Sequence, residues 1–205
     1  MELKEALNEL RKLEKRNFDQ SVDLIVNLRS IDLKRENVNA IIDLPHKIGE
    51  KKICAFLTKK SDLVDTVTPA EFQKYKDKNA LQDIVKKYDF FIGSASVMPS
   101  VATTFGKILG PAGKMPSPQL GILMQENDNA IKALLEKISK SVKVRAREAS
   151  IKLSIGKESM KDEQLLENAK EIYRGIANAL PNKKENVRNV MIKLTMSKPI
   201  KVEVK

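Results

Sequence analysis

The hydrophobic pattern of this chain changes its period on passing from the ends to the middle, and that change restricts the fold more than any single residue does. Near both ends apolar residues alternate with polar ones: Val38, Ala40, Ile42 and Leu44 on one side, then Ile151, Leu153 and Ile155, then Val190, Ile192, Leu194 and Met196, and after Ser197-Lys198-Pro199 the run Ile200, Val202 and Val204. A period of two belongs to strands of an antiparallel sheet that is wet on one face. The middle instead carries continuous apolar runs, Ile53 to Leu57 and Phe90-Phe91-Ile92, which suit strands covered on both faces. Helical spacing separates them over Ala80 to Tyr88, Met98 to Leu109 and Glu126 to Ser139. The pattern therefore predicts two fold classes in one chain. Residues 1–50 and 143–205 build a split α+β domain, an antiparallel sheet with helices. Residues 51–142 form an inserted three-layer α/β domain with a small parallel sheet. Two linkers between two domains permit a hinge.

Within the split domain, Leu3, Ala6, Leu7, Leu10 and Leu13 place an amphipathic helix over 2–15, and Leu165, Ala169, Ile172 and Ile176 place another over 162–180. Asp19 reads as the N-cap of a further helix through Leu24, Ile25 and Leu28 to about Ile31. A hydrophobic staple from Phe18 would then need an apolar residue where Asp23 stands. Phe18 is left either to pack under the sheet or to face a ligand.

The formal charge of +11 favours a polyanionic partner, and its distribution says more. Residues 1–50 carry nine basic and ten acidic side chains, 51–142 fourteen and nine, and 143–205 fifteen and eight. All eight arginines lie outside the middle segment. The planar guanidinium fork is the better tool for phosphates and base edges, so specific recognition is expected from the two ends of the chain. Arg16, Phe18, Ser21, Arg145, Arg147, Lys152 and Lys193 are its candidates. With no Trp and nine aromatics in all, a stacking platform cannot be the main device; hydrogen bonding and shape complementarity to folded RNA fit better. No apolar run approaches the roughly 18 residues of a membrane span, and Glu2, Lys4 and Glu5 open the chain in place of a signal sequence, so a cytoplasmic protein is expected.

Catalysis has little to stand on. His46 is the only histidine and follows Pro45 at a strand end, so it reads as structural. The lone Cys54, inside Ile53-Cys54-Ala55-Phe56-Leu57, reads as a small buried hydrophobe rather than a nucleophile. The one segment that resembles a phosphate cradle is Leu109 to Pro118, with Gly110, Pro111, Gly113, Lys114, Met115 and Pro116. It lacks the spacer and the Lys-Ser/Thr pair of a phosphate loop and follows a helix rather than a strand. It is expected instead to be a shaped interdomain loop, with Gly110, Pro111, Gly113, Met115 and Pro116 setting its course and Met115 reaching towards the other domain. No cofactor and no metal are expected. The competing reading is a small α/β nucleotide-binding protein or enzyme that uses the inserted domain.

Four motifs, Asn17-Phe18-Asp19-Gln20-Ser21, Leu44-Pro45-His46, Leu109-Gly110-Pro111-Ala112-Gly113-Lys114-Met115-Pro116 and Lys193-Leu194-Thr195-Met196, resemble the L-one family of ribosomal proteins in its archaeal form, and the resemblance covers nearly the whole chain. It implies the nested two-domain topology and a structural, non-enzymatic role on the large ribosomal subunit. The split domain would grip a folded rRNA junction as a mobile stalk near the exit site and assist release of deacylated tRNA. The same surface would bind the protein's own mRNA and repress its translation, and the free protein would be a monomer. Carried onto this sequence, Phe18, Ser21 and Asp23 would line the RNA from the start of the second helix, Thr195, Met196 and Ser197 from the last turn, and Arg147, Glu148 and Lys152 from a third segment. Arg16 would replace the phosphate contact that the family makes beside Phe18. The acids Asp23 and Glu148 would accept hydrogen bonds from ribose 2′-OH or base amino groups. Ser197 stands where the family has glycine, which would cost free energy if the turn needs positive φ.

Overall fold

A computed structural model describes residues 1–13, 16–32, 36, 38–75, 78–146 and 148–203. In chain order the elements are α1 (Leu3–Arg11), β1 (Ser21–Leu28), β2 (Asn39–Asp43), β3 (Ile53–Phe56), β4 (Asp65–Val67), α2 (Lys78–Lys87), β5 (Phe90–Ser94), α3 (Met98–Ala112), β6 (Ile122–Leu123), α4 (Asp128–Lys140), β7 (Ser141–Arg145), β8 (Ser150–Lys157), α5 (Asp162–Ala179), β9 (Val187–Leu194) and β10 (Ile200–Val202). Short 3-10 helices lie at Pro69–Tyr75 and Lys183–Asn186. The chain divides into two units, Met1–Gly49 with Lys140–Lys205, and Glu50–Ser139.

The split unit holds an antiparallel sheet in the order β10-β9-β1-β8, with β2 and β7 paired as a separate antiparallel ribbon. Because β7 pairs from Ser141 on, residues 140–142 belong to this unit. Val22, Leu24, Val26 and Leu28 of β1 point inward with Val190, Ile192 and Leu194 of β9, and α1 and α5 cover them with Leu3, Leu7, Leu10, Leu165, Ala169, Ile172 and Ile176. Each such Val, Leu or Ile side chain contributes about 1.5–3 kcal/mol by leaving water. At Gly175 the missing side chain lets α5 come close to β2: a Cβ there would stand 2.6 Å from Ile42 Cδ1.

The helix expected from Asp19 to Ile31 is strand β1, which lies between β8 and β9 at the centre of the sheet. Leu24, Ile25 and Leu28 satisfy helical spacing by coincidence. The strict alternation of Val22, Leu24, Val26 and Leu28, with β-branched residues at 22, 25 and 26, suits a strand, and two long-range partners fix it there. Asp19 accordingly caps no helix. Its carboxylate accepts the Ser159 N–H at 3.1 Å and the Ser159 hydroxyl at 2.8 Å.

The inserted unit is the small parallel sheet β4-β3-β5-β6. Cys54, Phe56 and Phe91 face a core closed by α2, α3 and Phe72, while Ala55 and Ile92, on the opposite face by alternation, are equally buried. Four of the chain's six phenylalanines meet there, with Phe56 at 5.0 Å from Phe105, 5.7 Å from Phe91 and 6.0 Å from Phe72 between ring centroids. Burial, and secondly the neighbouring Asp65 carboxylate, push the Cys54 thiol up to about 12 against a smaller opposing effect of Lys87. Cys54 is therefore expected to resist iodoacetamide at pH 8 in the native chain and to react fully in urea, as intact-mass spectrometry of the two samples would show.

Candidate nucleic-acid interface

Antiparallel pairing brings three distant segments to one end of the split sheet. β1 starts at Ser21, β9 ends at Leu194 opposite Val22, and β8 ends at Lys157 opposite Ser21. The chain entering β1 is laced to the turn after β9. Ser21 N–H donates to Thr195 Oγ1 at 3.1 Å, and the Thr195 N–H and hydroxyl both donate to the Ser21 carbonyl, at 3.1 and 3.3 Å. Gln20, only 3% exposed, accepts the Met196 N–H on Oε1 at 3.2 Å and donates through Nε2 to Glu158 at 3.2 Å. Its carbonyl accepts the Glu158 N–H at 2.8 Å.

This lacing pushes two apolar side chains into solvent: Phe18 is 51% exposed and Met196 65%. Phe18 thus does not pack under the sheet, although it is the only phenylalanine in the split unit. Arg16 is exposed beside it, and Lys157 Nζ lies 3.9 Å from Asp19 Oδ2. Ser197 settles the turn without glycine. Its backbone is not left-handed, and its Oγ accepts the Leu194 N–H at 2.8 Å, so a hydroxyl caps the turn.

The open face of the sheet continues from this end. Asp23 pairs across strands with Lys193 on one side and Ser154 on the other, and Ile25 with Met191 and Lys152. Desolvation raises the Asp23 carboxyl above the usual 3.8, with Lys193 pulling the other way. A carboxyl raised in the folded state binds its proton more tightly there than in the unfolded chain. Stability is thus greatest below the unfolded value and falls as pH rises through the window from 3.8 up to the folded value. Asp23→Asn should abolish that fall, which melting curves of both proteins taken from below pH 3.8 upward would detect.

The structure does not bring all the candidates together. Glu148 lies before β8, near Leu28, whose N–H donates to the Ala149 carbonyl at 2.8 Å. That is the far end of β1, about 23 Å from Ser21 at the usual rise per strand residue. Lys152 sits between the two ends, and Arg147 falls outside the described residues. Gln20 is a functional residue that the sequence motifs do not single out. Once residues 20–28 are seen as one alternating run, Gln20 shares the inward face with Val22 and Leu24, and a polar side chain on that face must find buried partners.

The Gly110–Pro118 segment belongs to the structure of the inserted unit. Gly110 and Pro111 are the last turn of α3, not loop. Gly113, at φ 74°, ends the helix with its N–H on the Gly110 carbonyl at 2.9 Å, and the Lys114 N–H returns to Leu109 at 3.0 Å. Lys114 Nζ donates to the carbonyls of Val85 and Tyr88, both at 2.7 Å, capping α2 instead of holding a phosphate. Met115 packs against the insert's own core, and Pro116 is buried.

The insert's strand order does create a topological switch between β3 and β5, where α/β sheets often receive ligands. Here a carboxylate already occupies the place. Glu126 accepts the Thr58 N–H at 3.1 Å and the Thr58 hydroxyl at 2.5 Å. Desolvation opposes its charge, but hydrogen bonds from Thr58, Ser94 and the backbone of Thr58 and Lys59 hold its pKa below the ordinary value. A fixed negative charge there repels the phosphates a nucleotide would bring.

The sequence profile of the Ribosomal protein L1p/L10e family matches residues 10–198. The chain belongs to that family. The L1p/L10e assignment is carried equally by full-length relatives. The Large ribosomal subunit protein uL1 of Thermofilum pendens is 37% identical over 98% of this chain and 90% of its own length. Its namesake in Pyrobaculum islandicum is 36% identical over 97% and 90%, and that of Nanoarchaeum equitans 31% identical over 97% and 98%. Members of the L1p/L10e family are ribosomal proteins and not enzymes, which sets aside the competing enzyme reading.

Proposed function

We propose that the chain is a structural rRNA-binding protein of the large ribosomal subunit, cytoplasmic and ribosome-associated, that grips a folded RNA junction with the Ser21 and Thr195 end of its split sheet. The observation that carries this reading is the exposure of Phe18, the split unit's only phenylalanine, at the end where Gln20 and Ser21 hold the Thr195-Met196-Ser197 turn. A monomer has no use for that side chain in water, whereas an RNA junction offers it a base or sugar face. Asp23 and Glu158 at the same end are poor partners for phosphate but good acceptors for ribose 2′-OH, the group that separates RNA from DNA. Its relatives bear the name of a large-subunit protein, which supports the same reading.

In this role the protein forms the stalk near the exit site and assists departure of deacylated tRNA, and the same surface takes a similar fold in its own mRNA and represses translation. The measurement is filter binding of a large-subunit rRNA junction to the purified chain across a salt series. Affinity should be submicromolar, fall linearly on a log scale with salt, and drop severalfold in both Phe18→Ala and Thr195→Ala with melting unchanged in Phe18→Ala. Full affinity in both variants would remove the site assignment. Adding the protein to cell-free translation of its own message should reduce yield, and yield unaffected at saturating protein rules repression out.

A further inference from the structure

At the opposite end of the split unit lies a feature the RNA reading does not use. The carboxyl-terminal half of α5 and the turn through Lys183 enclose a cavity of about 560 Å³, floored by Tyr173 and Ala177 and rimmed by Lys170, Arg174, Lys183 and Lys184. Glu185 is the only acid in its lining. Arg174 is held 2.8 Å from Glu171, while Lys170, Lys183 and Lys184 form no ion pair with a described residue.

The rim is built rather than incidental. Lys183, φ 50°, and Ser30, φ 52°, are the only non-glycine residues in the left-handed region among the described residues. Each such conformation costs about 1–2 kcal/mol. One side chain holds both turns. Asn186, 1% exposed, donates from Nδ2 to the Arg29 and Ser30 carbonyls, both at 3.1 Å, and accepts the Asn182 N–H on Oδ1 at 2.8 Å. Backbone strain persists where the surroundings over-determine it, and it gathers at functional sites.

We infer that this cavity is a docking site for an acidic peptide carrying an apolar side chain, supplied by a partner protein. Charge complementarity selects the acidic residues, and the floor of Tyr173 and Ala177 takes the apolar one. Asn178 and Asn182 offer donors and acceptors to a peptide backbone. One feature favours peptide over nucleic acid. The unpaired cations are lysines, point charges that suit carboxylates, and the one guanidinium fork is already engaged by Glu171. The site stands a full strand length from the Ser21 end, so it is independent of the RNA reading and both ligands fit at once.

The probe is a fluorescein-labelled peptide of alternating glutamate and leucine, titrated into the full chain by anisotropy beside its glutamine counterpart. Lys183→Gly removes the charge and relieves the backbone strain together, so it keeps or raises the melting temperature. Combined with Lys184→Glu it should weaken the glutamate peptide about tenfold or more while leaving rRNA affinity unchanged. The inference is overturned if the glutamine peptide binds equally well, if the glutamate peptide does not bind, or if the variant binds it as tightly. It is likewise overturned if an oligouridylate binds more tightly than the peptide with the same sensitivity to the variant.

Discussion

Replacing Asn168 with leucine is expected to destabilise the split unit by about 3–5 kcal/mol. Asn168 is fully buried and makes three bonds to backbone: Oδ1 accepts the His46 N–H at 3.1 Å, and Nδ2 donates to the carbonyls of His46 at 3.1 Å and Ile155 at 2.9 Å. It thereby fastens the Leu44-Pro45-His46 segment to α5 and β8. His46 adds its ring, with Nε2 2.7 Å from the Glu167 carboxylate. Leucine has nearly the same volume but leaves three backbone groups without their partners, the Ile155 carbonyl in the buried interior and the two of His46 half-buried, each worth about 1–3 kcal/mol where water cannot replace the bond. Urea unfolding should show the early loss, and hydrogen exchange should place it in α5 and residues 44–49. Wild-type stability in the variant would mean that water or a shift of the segment replaces all three bonds.

Gln20→Ala should weaken rRNA binding by about five- to thirtyfold, equivalent to 1–2 kcal/mol. The amide itself is buried, so its loss acts through what it holds: the Met196 N–H loses its acceptor and Glu158 its donor. The turn carrying Thr195, Met196 and Ser197 would then sample positions that the RNA does not accept, and the cost of ordering it would move into the binding step. The distinguishing readout is kinetic and structural together. Dissociation of the RNA should quicken while the β1 and β9 amides keep their exchange protection and the 195–198 amides lose theirs. Unchanged affinity with a loosened turn would show that the RNA does not depend on that turn.

The difference between Asn168, Gln20 and the residues recognised from sequence is physical. Phe18, Gln20, Thr195 and Met196 all stand in motifs, but a motif does not tell which of its side chains turn inward. Asn168 sits among Leu165, Ala169 and Ile172 on a helical stripe, where nothing in the one-dimensional pattern distinguishes a polar residue with three backbone partners from one on the water side. Gln20 was hidden by the reading of residues 19–31 as a helix, which gives it a different set of neighbours. The short strands β4 and β6 were equally illegible, since three and two residues give too few periods to recognise.

The sequence by itself determined the nesting of two fold classes, strands β2, β8, β9 and β10 near the termini and β3 and β5 in the insert, the burial of Cys54 and the concentration of arginine at the two ends. These follow from side-chain period and composition, which are local properties of the chain. Tertiary structure alone decided that residues 21–28 are a central strand, because a segment compatible with either period is settled by the partners it finds far along the chain, from Ser150 to Lys157 and from Val187 to Leu194. It likewise decided that Gly110 and Pro111 finish a helix, that Lys114 caps α2, and that Glu126 fills the switch point of the parallel sheet. In each case a hydrogen-bonding group is claimed by a neighbour distant in sequence, and a buried polar group takes its role from that neighbour.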